Sequence, residues 1–153
     1  MSMEFQGEGV MTRMRVLFVS LLLGLGSGHV ALAGMQTFPS NNGQVDFRMP
    51  SNNVECIYTP AGGTPTYTPA DGGPELQCDR AEPTYLRFVL GKSGPATVIS
   101  DVGDASCCGG TNVLQYGSTW QGGPFTCKSA TTGITCKRGA HGFLISKAKV
   151  KTY

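Results

Sequence analysis

The chain is poor in charge, in histidine and in long apolar runs, and each shortage argues against a class of function. Charged residues make up 14% of its 153 positions, and the formal net charge is +2. No basic stripe is available to track a phosphate backbone, so nucleic acid is not expected as a partner. Only two histidines occur, His29 and His141. No serine sits in a G-x-S-x-G elbow, and no glycine-rich loop of the P-loop or dinucleotide type is present. The most apolar run, Val16 to Leu25, falls well short of the roughly 20 residues that span a bilayer. No apolar pattern with a 3.6-residue period lasts beyond two turns, which leaves little room for amphipathic helices.

What is present begins with an export signal. The stretch "MTRMRVLFVSLLLGLGSGHVALA" carries Arg13 and Arg15, then the apolar run, then Ala31-Leu32-Ala33. A basic start, an apolar centre of about ten residues and an A-x-A ending predict a signal peptide over residues 1–33, cut after Ala33. Gly34, not cysteine, stands directly after that point, so a lipid-anchored route is not expected. Residues 1–10 are polar and acidic, unlike a signal start, and predict Met11 or Met14 as the true first residue. The mature chain, 34–153, is expected to be periplasmic or extracellular, without a membrane span.

That length suits one domain with a modest core. Glycine and proline punctuate it throughout, and short alternating runs lie between them. Strands are predicted over 44–49, 54–58, 75–79, 84–91, 96–100, 111–117, 124–129, 133–138 and 142–153, with a Gly/Pro-rich loop over 59–74. The expected fold is all-β: a small disulfide-stapled sandwich or barrel of short antiparallel strands.

All six cysteines fall in the mature part: Cys56, Cys78, Cys107, Cys108, Cys127 and Cys136. An even count in a short exported chain reads as a disulfide framework, although six cysteines allow fifteen connectivities. In "FTCKSATTGITCKRG" a hairpin would set Cys127 opposite Cys136, with Ser129 facing Ile134 and a four-residue connection from Ala130 to Gly133. Opposed positions in an antiparallel pair can stand about 4.5 Å apart at Cα, within the reach of a disulfide. Gly133 would take a positive φ at the end of that connection. Cys56 and Cys78 occupy matching places in two strands and bracket the Gly/Pro-rich loop, so a bridge between them is expected. Cys107 and Cys108 are adjacent. They bond to each other, pair elsewhere, or remain as thiols, and as thiols they offer a redox-responsive or soft-metal site such as one for Cu(I).

Few residues remain to carry chemistry. His141 is the one histidine of the mature chain. It reads as a turn residue before a strand, or as the base of a hydrolase of envelope polymers if a carboxylate stands beside it. Asp101 and Asp104 read as turn residues. Lys147, Lys149 and Lys151 alternate in the last predicted strand and would share one face. That face protects an edge or attracts an acidic protein or anionic envelope polymer. Trp120 reads as a core or loop anchor, or as an exposed sugar-stacking ring. No cofactor or metal is expected, and a monomer is.

The motifs "FRMPSNNVECIY", "LQCDR", "NVLQYG", "FTCKSATTGITCK" and "GAHGFLISK", in that order, resemble a family of small exported bacterial proteins classed as a domain of unknown function. The likeness spans about residues 38–150. Phe47, Pro50, Ser51, Asn53, Cys56, Cys78, Tyr116, Gly117, Cys127, Gly133, Cys136, His141, Gly142 and Phe143 match its pattern. Asn52 and Ala140 stand where that family tends to have glycine. Asp101-Val102-Gly103-Asp104 stands where it has a Cys-x-Gly-Asp, and the partner of that cysteine is also missing. The resemblance therefore leaves Cys107 and Cys108 without counterparts, bonded to each other or free. It implies export and a cysteine-stapled β domain, and no particular activity. Taken together, the sequence leads to an exported β domain that binds a partner in the envelope or outside the cell, such as an enzyme to be inhibited or an envelope polymer.

Overall fold

The computed structural model describes residues 34–153, and the expected signal peptide lies outside them. Short alternating runs between turns become β1 (Met35–Gln36), β2 (Val45–Arg48), β3 (Val54–Thr59), β4 (Glu75–Arg80), β5 (Leu86–Leu90), β6 (Thr97–Ile99), β7 (Thr119–Gly122), β8 (Phe125–Ala130), β9 (Gly133–Arg138), β10 (His141–Ile145) and β11 (Val150–Thr152). No helix occurs among the described residues, and hence none long and apolar enough to cross a membrane. The strands form two sheets, one ordered β1-β7-β8-β9-β10-β11 and the other β2-β3-β4-β5-β6. No strand is shared between them, so the fold is a sandwich rather than a barrel. All pairings are antiparallel except β1 with β7, which is parallel.

The inward sides of the central strands are mainly apolar, with Arg80 on β4 and Ser129 on β8 the buried polar exceptions, and the two inner faces meet ring against ring. Phe47 on β2 lies 4.8 Å from Trp120 on β7, and Phe88 on β5 lies 5.5 Å from Phe143 on β10. Cys56 pairs in register with Cys78 across β3 and β4, and Cys127 with Cys136 across β8 and β9. Both pairs are disulfides, with Cα atoms 4.0 and 4.1 Å apart. The sulfurs of Cys56, Cys78 and Cys136 lie within 4.8 Å of one another, so the staple of one sheet rests on the staple of the other at the centre of the core. The sequence pattern named these two pairs.

Turn chemistry accounts for the hairpins. Asn42 and Gly43 both have positive φ (50° and 82°) in the tight reversal bridged by Asn41 and Gln44, the pattern of a type I′ turn. The β8–β9 connection is tighter than the sequence suggested. Ala130 still pairs with Gly133, so the loop proper is Thr131-Thr132. Gly133 takes φ +131°, and a Cβ there would stand 2.5 Å from the Ile145 carbonyl oxygen.

Two predicted strands come out differently, and one strand was not predicted. Residues 111–117 form no strand. Val113 makes a single bridge to Arg48, and Leu114 drops into the core. The glycines on either side, Gly109-Gly110 and Gly117, end the extended run before a ladder can form. The strand that follows, β7, was hidden by its flanking glycines. The predicted strand 142–153 is two strands, β10 and β11, broken where the Ser146 hydroxyl and backbone close a turn onto Lys149. Lys147, Lys149 and Lys151 therefore do not share one strand face. The loop 59–74 remains irregular but is held by its own turns and by Asp71. Its carboxylate accepts the Gly73 and Lys92 amides at 2.8 and 3.0 Å, which holds the acid below its ordinary pKa.

Candidate functional site

The residues singled out in the sequence do not gather at one place. Trp120 is 2% exposed and packed between Phe47 and Tyr58, so it presents no ring to a sugar. His141 opens β10 opposite Arg138. Among the described residues no carboxylate oxygen lies within 4 Å of its ring nitrogens, since the two ion pairs are Arg87–Asp79 and Lys147–Glu82. Lys147 and Lys149 lie in the β10–β11 turn and Lys151 on the edge strand β11, all exposed. Lys147 meets Glu82 at 2.9 Å.

A cleft of about 400 Å³ opens at the end of the sandwich next to that turn. The β2–β3 turn supplies Ser51, Asn52 and Asn53; the stretch after β4 supplies Ala81 and Glu82; Tyr116, Thr131, Ser146 and Lys147 close it from the other sheet. Its walls are fixed from behind. Asn53 exchanges two hydrogen bonds with the Glu82 backbone, its amide nitrogen donating at 3.0 Å and its oxygen accepting at 2.8 Å. Arg80, 5% exposed, donates to the Thr84 and Ser146 carbonyls and so ties the two sheets together beside the cleft. Among the described residues no carboxylate partners this guanidinium, and its burial lowers its pKa. The lining thus sets hydroxyl and amide groups and one phenol among apolar Met49, Val54 and Ala81, with the Lys147–Glu82 ion pair at the rim. That set can hydrogen-bond a peptide or glycan segment.

A second region was not visible in the sequence. The outward side of β3, β4 and β5 alternates as though it faced water, yet Glu75 and Asp79 on it are buried. The segment between β6 and β7 folds back over this side. Asp79 lies at the centre: Arg87 donates to both of its oxygens at 2.8 Å, and the Tyr85 hydroxyl donates at 2.6 Å. Those bonds raise the Arg87 pKa, while burial and the Asp79 hydrogen bond raise that of Tyr85. The Tyr85 oxygen in turn accepts the Cys107 amide at 3.1 Å. Farther along, Glu55 accepts the Gly110 amide at 2.9 Å, and Arg48 donates to the Gly110 carbonyl at 2.6 Å. A Cβ at Gly110 would overlap Glu55 Oε1 and stand 3.1 Å from Asp46 Oδ2, so a side chain there would displace the Glu55 carboxylate. Burial, with Asp46 and Asp79 nearby, raises the Glu55 pKa above its ordinary 4.5 despite the two loop amides that bind it.

Cys107 and Cys108 are bonded to each other in this segment, each half-buried. Beside them runs a groove in two parts, of about 70 and 240 Å³, whose shared walls are Ile57, Gln77 and Ser106. Tyr67 bounds its far end, donating to Glu75 at 2.7 Å; burial and that carboxylate push the phenol up to about 12. Of this region only the cysteines were marked from sequence. The one available signal was the spacing of Asp79, Tyr85 and Arg87, which places all three on one side of neighbouring strands once β4 and β5 are paired.

No family model, curated protein or solved structure matches this chain.

Proposed function

We propose that this chain is an exported binding protein of the cell envelope, and that the cleft at the end of the sandwich is its recognition surface. The cleft itself carries the reading. It is a concavity of about 400 Å³, its walls are braced by Asn53 and Arg80, and its lining offers hydroxyl, amide and phenol groups and an ion pair to a polar chain. Sites of this kind combine a preformed shape with a few placed polar groups. Lys147 at its edge is paired with Glu82, while Lys149 and Lys151 in the adjoining turn and strand make no ion pair among the described residues and favour an anionic partner, and the expected signal peptide and the paired cysteines suit an oxidising compartment. The resemblance supports the same end of the molecule, because Ser51, Asn53, Tyr116 and Gly133 from its motifs line this cleft. Asn52, where that family tends to have glycine, has φ +55°, a conformation asparagine tolerates better than most residues.

The partner class that fits is an anionic glycan–peptide of the envelope. The test is a titration of the isotope-labelled chain with soluble peptidoglycan fragments, followed by NMR. Amide shifts at Ser51, Asn53, Tyr116 and Lys147 are expected, and Tyr116→Ala and Lys147→Glu should each weaken binding about tenfold, a loss of the size seen when one well-placed contact is removed. Shifts confined to the opposite end of the sandwich, or none at millimolar fragment, would sink the proposal.

A further inference from the structure

We infer that Cys107, Cys108 and Glu55 form a zinc site that is masked while the two cysteines are bonded and unmasked by their reduction. Their ligand atoms lie within 4.8 Å of one another. The third ligand comes from β3, 52 positions before Cys107 (107 − 55), and the fold delivers it. Two thiolates and a carboxylate suit a borderline-soft divalent ion. Zinc accepts that donor set in tetrahedral geometry with water in the fourth place, whereas hard cations prefer an all-oxygen cage.

The donors keep their places when the sulfur–sulfur bond opens, because other bonds hold the segment. The Gly110 amide donates to Glu55, Arg48 to the Gly110 carbonyl, Arg87 to the Asp104 carbonyl at 3.0 Å, and the Cys107 amide to Tyr85. Cys107 Sγ also lies 3.5 Å from the Asp79 carbonyl oxygen, a contact that becomes a hydrogen bond once the sulfur carries a proton. Opening is selective for a physical reason. Cys56, Cys78, Cys127 and Cys136 are at most 1% exposed, while Cys107 and Cys108 are half-buried beside a groove. In the cell the reductant would be a protein dithiol. Its thiolate attacks one sulfur, its second thiol resolves the mixed disulfide, and it leaves as a disulfide while Cys107 and Cys108 gain two electrons and two protons. Zinc then displaces the two thiol protons.

The experiment uses the folded chain, opened with a water-soluble phosphine that leaves as its oxide, and Cd(II) as the spectroscopic stand-in for zinc. Alkylation and peptide mass spectrometry should find Cys107 and Cys108 alone as thiols. One Cd(II) per chain should then bind with a thiolate-to-cadmium absorption that the oxidised chain lacks. Glu55→Gln keeps an acceptor for the Gly110 amide but supplies a poor ligand, and should weaken binding about tenfold or more. The ¹¹³Cd resonance of the unmodified chain should fall between all-oxygen and all-sulfur sites, which decides the donor set even if Glu55→Gln fails to fold. Equal binding before and after reduction, no thiolate absorption, unchanged affinity in folded Glu55→Gln, or an all-sulfur resonance would each overturn the inference.

Discussion

The two sides of the five-stranded sheet solve burial in opposite ways. The inner side carries Phe47, Cys56, Leu76, Cys78, Phe88 and Leu90, all at most 1% exposed, and the buried charge on it, Arg80, is met by backbone carbonyls alone. The outer side buries Asp79 under a returning segment and Glu75 beside Tyr67 of the 59–74 loop, and there each buried charge has a named partner: Arg87 and Tyr85 for the first, Tyr67 for the second. Apolar packing tolerates any neighbour of the right volume, while a buried carboxylate depends on particular donors. The inner side therefore sets the fold, and the outer side fixes where one long segment lies. Adjacent cysteines, a carboxylate and a groove come together only on the outer side.

The sharpest way to break this contrast is to remove one partner. Arg87→Met leaves Asp79 buried and uncompensated, and stability should fall by about 3 kcal/mol or more in urea unfolding. Asp79→Leu combined with Arg87→Met should recover most of the loss, because two apolar residues of similar bulk ask for no donor. A single-variant loss under about 1 kcal/mol, as at an exposed pair, would mean that the segment does not close over this side.

Next come the staples. Cys56→Ala with Cys78→Ala removes a bridge across 22 positions and should lower stability by about 3 kcal/mol. Cys107→Ser with Cys108→Ser removes a bond between neighbours, which barely restricts the unfolded chain, so its loss should be well under half as large. Equal losses would show that the outer bond supports the fold as the inner ones do.

The same contrast explains what could be read from sequence. Period-2 alternation in "VECIY", "ELQCD" and "FTCKS" marks the inner side, and opposed cysteines mark the register, because both are local consequences of strand geometry. The outer site depends on contacts such as Gly110 with Glu55, 55 positions apart, and Asn112 with Asp46, 66 apart. No local pattern encodes these. Alternation even misleads here, since Asp79 and Arg87 stand where a solvent-facing residue is expected. The C-terminal lysines failed similarly: their spacing matched a strand, but the Ser146 turn interrupts it.

The smallest expected effect tests whether the outer side is dry. Glu55 is faced by Asp46 from β2, Asp79 from β4 and the Gly109 and Gly110 amides of the returning segment, while the Arg48 guanidinium turns to the Gly110 carbonyl. Its pKa is raised, chiefly by burial, so the charged form is less favourable in the folded chain than in the unfolded one. By linkage the related stability is fully present below the ordinary value of 4.5 and is lost as the pH rises through the folded value. Glu55→Gln removes the charge, so this variant should melt above the unmodified chain at neutral pH and level with it in acid. Thermal melts across that range decide the matter. A gap that persists unchanged into acid would place its origin in packing rather than in a carboxylate held away from water.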